Sequence, residues 1–256
     1  MEFDISSLLE QWEYQPGQVM VRKFTTPDGV EKIQLRLDLG LLQMNAEGRP
    51  DGKRPHDMDS LLDYHQARLG EYLREHGGHD DEFELDDSTC MDLQLEALQY
   101  HHRFLCLFQL EDYAGVIRDA DRSLAIFDFI AEYAKSDELA GSVIQFRPQL
   151  RMMLARAQGT LALQAGNHAE AVRIIQAALE DIRDLFAEHD REDMIEDSDE
   201  IAALEAWMEE IESQRPRSRR EQLERDLAAA IQREDYEKAA LYRDALKRLN
   251  DKPPAS

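Results

Sequence analysis

The chain has 256 residues, enough for a full hydrophobic core and one or two domains. Acidic side chains number 54 against 30 basic ones, a formal charge of −24, so a phosphate backbone repels the chain as a whole and any basic site must be local. Two cysteines make no disulfide framework, the start MEFDISSLLEQ is not a signal peptide, and the apolar stretch 124–130 is broken by Asp128 well short of a membrane span, so a cytoplasmic protein with reduced thiols is expected.

Residues 18–39 carry a strand signal. Val19 and Val21 alternate with their neighbours, and so do Ile33, Leu35, Leu37 and Leu39 against Gln34, Arg36 and Asp38. Between the two runs lies Thr26-Pro27-Asp28-Gly29, a turn composition, so a β-hairpin pairing 18–25 with 30–39 is predicted. Residues 45–57 read as a loop with two glycines, two prolines and the cations Arg49, Lys53 and Arg54. From 58 the period becomes helical: Met58, Leu61, Leu62, His65, Leu69, Tyr72 and Leu73 share a stripe, with Asp57 or Asp59 as cap, and Gly77-Gly78 ends it. An acidic loop, 79–87, follows.

Residues 88–187 read as two helix pairs. The first runs from Ser88 to Leu110, turns at Glu111-Asp112 and returns from Tyr113 to about Lys135. The second runs from Pro148 to Gln164, turns at Gly166-Asn167 and returns from His168 to about Ala187. In the second pair Gly159, Gly166-Asn167, Ala171, Ala178 and Leu179 stand at the spacings of tetratricopeptide repeats, which it resembles. In the first pair Asp112-Tyr113 and Leu124 fit, but Phe104 fills a slot that the repeat gives to a small residue. The two turns lie 55 residues apart where the repeat period is ~34, so either the helices are longer or 136–147 is an insertion. Generic helical hairpins are the alternative. The resemblance implies a groove that holds a peptide or a helix.

Residues 188–212 hold twelve acids and a single cation, Arg191. Within them Ile201, Leu204, Met208 and Ile211 recur at helical spacing, giving a helix from about Ser198. The sign then flips at Arg215-Pro216-Arg217-Ser218-Arg219-Arg220, read as a linker and a boundary.

In 221–249, Leu223, Leu227, Ala230 and Ile231 line one helical face, and Ala239, Tyr242, Leu246 and Leu249 line another. Glu234-Asp235 sits between them, where carboxylates oppose the positive end of a helix dipole. An antiparallel helical hairpin with a thin Leu/Ala seam is predicted. The run Leu223, Leu227, Ala230, Glu234-Asp235-Tyr236-Glu237, Ala239-Ala240, Arg243-Asp244, Leu246 and Leu249 resembles the UVR motif. That motif is shared by the excision-repair proteins UvrB and UvrC, and also occurs in Clp-type chaperone ATPases and in the activator of a bacterial protein-arginine kinase. The resemblance covers about 30 of the 256 residues. It implies a hairpin that joins one protein to another, with Leu223, Leu227, Ile231, Tyr236, Ala240, Arg243, Asp244 and Leu246 at the interface. Tyr236 would anchor and the Arg243/Asp244 pair would set register; the alternative for that pair is a solvated surface ion pair. The partner is a protein with a like hairpin, or a second copy.

No GxxxxGK[ST] phosphate loop and no paired-cysteine zinc spacing is present, and the latter departs from the kinase activators. His102 and Cys106 are four apart, and His76 and His79 flank a glycine pair beside Asp80 and Asp81. Core packing and an exposed acidic loop, respectively, account for them without a metal. Arg49, Lys53 and Arg54 suit a phosphate or another anion; an ordinary charged turn is the alternative. The cations of 215–220 either attract the acidic 188–212 segment or touch DNA.

The expected fold is mainly α: a β-hairpin and helix head (1–87), a tetratricopeptide-like helical domain (88–212), a linker (213–218) and a UVR hairpin (219–250). The expected function is a non-catalytic adaptor without cofactor or membrane contact, acting in nucleotide excision repair or in Clp-type proteolysis. A repair accessory protein touching nucleic acid through 215–220 is the alternative.

Overall fold

A computed structural model describes residues 4–214, 219–233 and 235–250. The chain is mainly α, with one small antiparallel sheet near the N-terminus. Close packing divides it into two units, residues 1–208 and 209–256.

A short helix α1 (Ser6–Glu10) precedes strands β1 (Met20–Thr25), β2 (Glu31–Leu37) and β3 (Gly40–Asn45), which pair in the order β1-β2-β3. The β1–β2 hairpin is as expected. Its turn closes with Thr26 N–H donating to Val30 O (2.9 Å), and Gly29 takes φ +85°, which costs glycine least. The third strand fills the stretch between the expected hairpin and the expected loop, of which it takes only Asn45. Leu39 is not a strand residue but the tip of the Asp38-Leu39 turn, 90% exposed. β3 (GLLQMN) escapes a period-two reading because Leu41 and Leu42 are adjacent.

In register, Val21, Leu35 and Leu42 form one row, and Ile33 pairs with Met44 beside it. Ile33 and Met44 enter the core, with Val21 and Leu35 packed against it. The other face is covered as well. The Arg22 guanidinium stacks 4.3 Å from the Trp12 ring, and Arg36 Nε donates to Trp12 O at 2.8 Å. Gln34 and Arg36, expected to face water, are therefore buried.

Helix α2 (Leu61–Glu75) is capped by Ser60, whose hydroxyl accepts from Asp63 N–H at 3.0 Å; Asp57 and Asp59 are not the caps. Then come α3 (Asp87–Gln109), α4 (Tyr113–Tyr133), α5 (Asp137–Ile144), α6 (Arg147–Gln164), α7 (His168–Glu188) and α8 (Asp199–Gln214). The turns after α3 and α6 fall where the sequence suggests, and each is capped: Asp112 accepts from Gly115 N–H (3.1 Å) and Asn167 from Glu170 N–H (3.1 Å). The extra length between the two turns is taken up by α5. Helices α3 with α4, α4 with α6 and α6 with α7 pack in sequence.

The core is shared by sheet and helices. Ile33, Met44 and Leu62 belong to the same apolar cluster as Leu93, Phe104, Leu107, Ile126 and Leu154. Gly159, expected to let paired helices approach, serves α8 instead: a Cβ there would lie 2.7 Å from the Trp207 ring, and Arg156 covers that ring at 5.6 Å. Against Phe104, which is fully buried, no small residue is needed, because the close contact of that pair is made by Gly115 on Leu107.

His65 is a titratable group inside this core. Arg68 Nη1 lies 3.2 Å from its Nδ1, and a guanidinium only donates, so Nδ1 accepts and the ring is neutral. Burial first, then Arg68 and His56, depress its pKa from 6.5 to about 4, against Asp86 and Asp92, which raise it. The folded value lies below the unfolded one. Stability is therefore complete above pH 6.5 and declines as pH falls toward 4, where only the unfolded chain takes up the proton. Side-chain NMR is expected to find His65 titrating near 4, and His65→Gln to flatten stability in that window. A His65 that titrates at 6.5 would contradict the assignment.

Candidate partner-binding hairpin

Helices α9 (Arg219–Gln232) and α10 (Tyr236–Asn250) pack antiparallel. The turn between them is closed by Arg233 N–H donating to Ala229 O (3.1 Å) and Asp235 N–H to Ala230 O (2.9 Å). Asp235 then begins α10. Its Oδ1 accepts from Lys238 N–H at 3.2 Å, and its Oδ2 lies 2.7 Å from Lys238 Nζ. The Lys238 ammonium, and after it that backbone N–H, hold the Asp235 carboxyl below its usual value, so its charge opposes the helix dipole. Glu234 lies outside the described residues.

The seam is thin because it is made of small side chains. Ala230 and Ala239 are buried, while Leu223, Leu227, Tyr242, Leu246 and Leu249 are only half-buried. Ile231, expected on the seam, is 55% exposed, since Ala230 takes the inward position beside it. Tyr236 is 71% exposed and Leu241 69%. Of the residues expected at the interface, then, Ile231 and Tyr236 stand in solvent, and Leu223, Leu227, Ala240 and Leu246 are partly covered. Arg243 and Asp244 are both exposed and lie 3.4 Å apart, paired with each other. Leu241 was missed by the sequence reading because it falls off the repeat of Ala239, Tyr242 and Leu246.

The loop cations each have their own acid or face water. Arg49 Nε lies 2.9 Å from Glu96 Oε2 and its Nη1 3.3 Å from Asp51, with the Arg49 side chain largely covered. Arg54 pairs with Asp59 at 3.0 Å, and Lys53 is exposed. The anion that Arg49 meets is the chain's own. Glu96, fully buried, also accepts from Leu61 N–H (2.8 Å) and Leu62 N–H (3.2 Å) at the start of α2.

Cys106 is buried, which pushes its thiol up to about 12, and His76 stacks on Tyr72 at 3.8 Å. Among the described residues no helix is long and apolar enough to cross a membrane. In the basic run, 215–218 lie outside the described residues, and Arg219 and Arg220 enter α9.

Residues 217–252 match the family model of the UvrB/uvrC motif. No curated protein and no solved structure matches the chain. The chain thus carries a UVR motif, of a kind that generally mediates protein–protein interaction, and that motif coincides with the α9–α10 hairpin.

Proposed function

We propose that the protein is a non-catalytic adaptor that recruits its partner through the α9–α10 hairpin. The partner is a protein with a hairpin of the same kind, or a second copy, in nucleotide excision repair or Clp-type proteolysis. The observation that carries the reading is the apolar surface the hairpin leaves in water: Ile231, Tyr236 and Leu241 are each more than half exposed. A unit of about 30 residues buries too little apolar area to be secure alone, and a partner completes it. Tyr236 suits an anchor, with large area and few rotatable bonds.

Affinity capture from a bacterial lysate, with the full chain, Tyr236→Ala and Ile231→Asp, tests this. Both side chains are exposed, so both variants are expected to fold. A UVR-bearing protein held by the full chain and lost from both variants is the expected result. Equal retention by all three would exclude the hairpin as the recruiting element.

A further inference from the structure

A second apolar surface lies far from the hairpin in sequence. Met91, Leu95 and Leu98 stand exposed along α3, Leu95 by 58%, at spacings of four and three. Across from them Phe146, at the start of α6, is half exposed, and its ring rests 6.0 Å from that of Phe127 in α4. Between these lips runs an open groove of about 400 Å³.

The groove carries no Asp, Glu, Lys or Arg in its lining, in a chain where 33% of residues are charged. Its one titratable group, His101, is held below the usual histidine value by burial and by His102, which favours the neutral ring. The lips are fixed in place: Gln94 of α3 donates to Ser142 Oγ of α5 at 3.1 Å, and Phe127 supports Phe146. Exposed carboxylates, Asp87 and Asp92, stand on α3 beside Met91.

We propose that this groove docks one amphipathic helix of a partner protein, with an apolar i, i+4, i+7 face inward and Lys or Arg on its flanks. Met91 to His101 is eleven residues of helix, a rise of about 15 Å, which matches three turns of a docked helix. The uncharged lining demands an apolar face, because a buried unpaired charge is costly. Asp87 and Asp92 at one end, on a chain whose net charge is −24, draw cationic flanks. At this groove a second copy would bring its own Asp87 and Asp92 rather than cationic flanks, and the concave shape fits a free helix better than another convex α3. The site is independent of the α9–α10 hairpin.

The test uses fluorescein-labelled synthetic helices and the full chain, read by anisotropy. One helix has leucines at i, i+4 and i+7 with lysine flanks. A second has the same composition with leucines spread around it, and a third has glutamate flanks. The first is expected to bind, more weakly as salt rises, and the other two to bind at least about tenfold less tightly. Leu98→Glu and Phe146→Glu change exposed side chains and are expected to fold, with circular dichroism as the check. Each is expected to weaken the first helix at least about tenfold, while Tyr236→Ala leaves its binding unchanged. Equal binding of patterned and scattered helices, or unchanged binding to both groove variants, would overturn the proposal. So would sedimentation equilibrium showing a dimer that Leu98→Glu dissociates, because a second copy would then cover the face.

Discussion

Asp119→Ala is expected to cost roughly 3–5 kcal/mol of folding stability, read as a loss of midpoint in urea unfolding. Arg103 and Asp119 form a bidentate pair, Nε to Oδ2 and Nη2 to Oδ1, both 2.7 Å, and both side chains are fully buried. Arg103 Nη1 also donates to Asn45 O (3.0 Å) and Gly48 O (2.8 Å), and Arg118 joins Asp119 to Glu47. Removing the carboxylate leaves a guanidinium without water and without a counter-charge, and that uncompensated charge accounts for most of the expected loss. Replacing both partners by apolar residues of similar volume is expected to cost less than either single change. The pair fastens the end of β3 to α3 and α4, so segment 45–49 is expected to lose hydrogen-exchange protection first. An Asp119→Ala protein as stable as the parent would show that the network contributes nothing.

Gly159→Val is expected to lower stability by about 2–3 kcal/mol and to free Trp207. A single added Cβ already meets the indole at 2.7 Å, and the branched side chain adds two more carbons in the same space. The indole lies against Gly159 and within 5.6 Å of the Arg156 guanidinium, both on α6. Trp12 and Trp207 are the two tryptophans of the chain, so indole-selective excitation in a Trp12→Phe background isolates the signal. Emission is expected to move to the red in Gly159→Val and less in Gly159→Ala, where a gain of about 1 kcal/mol in helix propensity offsets part of the clash. Unshifted emission in the valine variant would contradict the packing.

Both expectations rest on features that sequence patterning reads poorly. Helix boundaries were legible because Asp112, Asn167, Gly166 and Gly77-Gly78 are strong local signals. The third strand was not, since the sheet is covered on both faces and β3 has no alternation. Glu96 and Arg103 stand at the helical spacing of Tyr100 and Leu107, on the buried face of α3. A charge interrupting an apolar stripe was the available signal, and its partners, at 49 and 119, lie too distant in sequence to show in any local pattern. Arg49 was legible as an anion-seeking cation, but its anion is Glu96. In the hairpin the residues of the motif were legible, whereas the outward turn of Ile231 and Leu241 needed the helix phase that the structure supplies.

The proposed recruiting element is the apolar surface that Ile231, Tyr236 and Leu241 leave exposed on the hairpin. The most direct measurement is the dissociation constant of the full chain for the captured UVR-bearing protein, or for itself, by titration calorimetry. It is compared with Ile231→Asp at matched circular dichroism and unfolding midpoint. Binding at least about tenfold weaker in the variant is expected, the loss for removing an apolar anchor. An unchanged constant in a folded Ile231→Asp protein would contradict it.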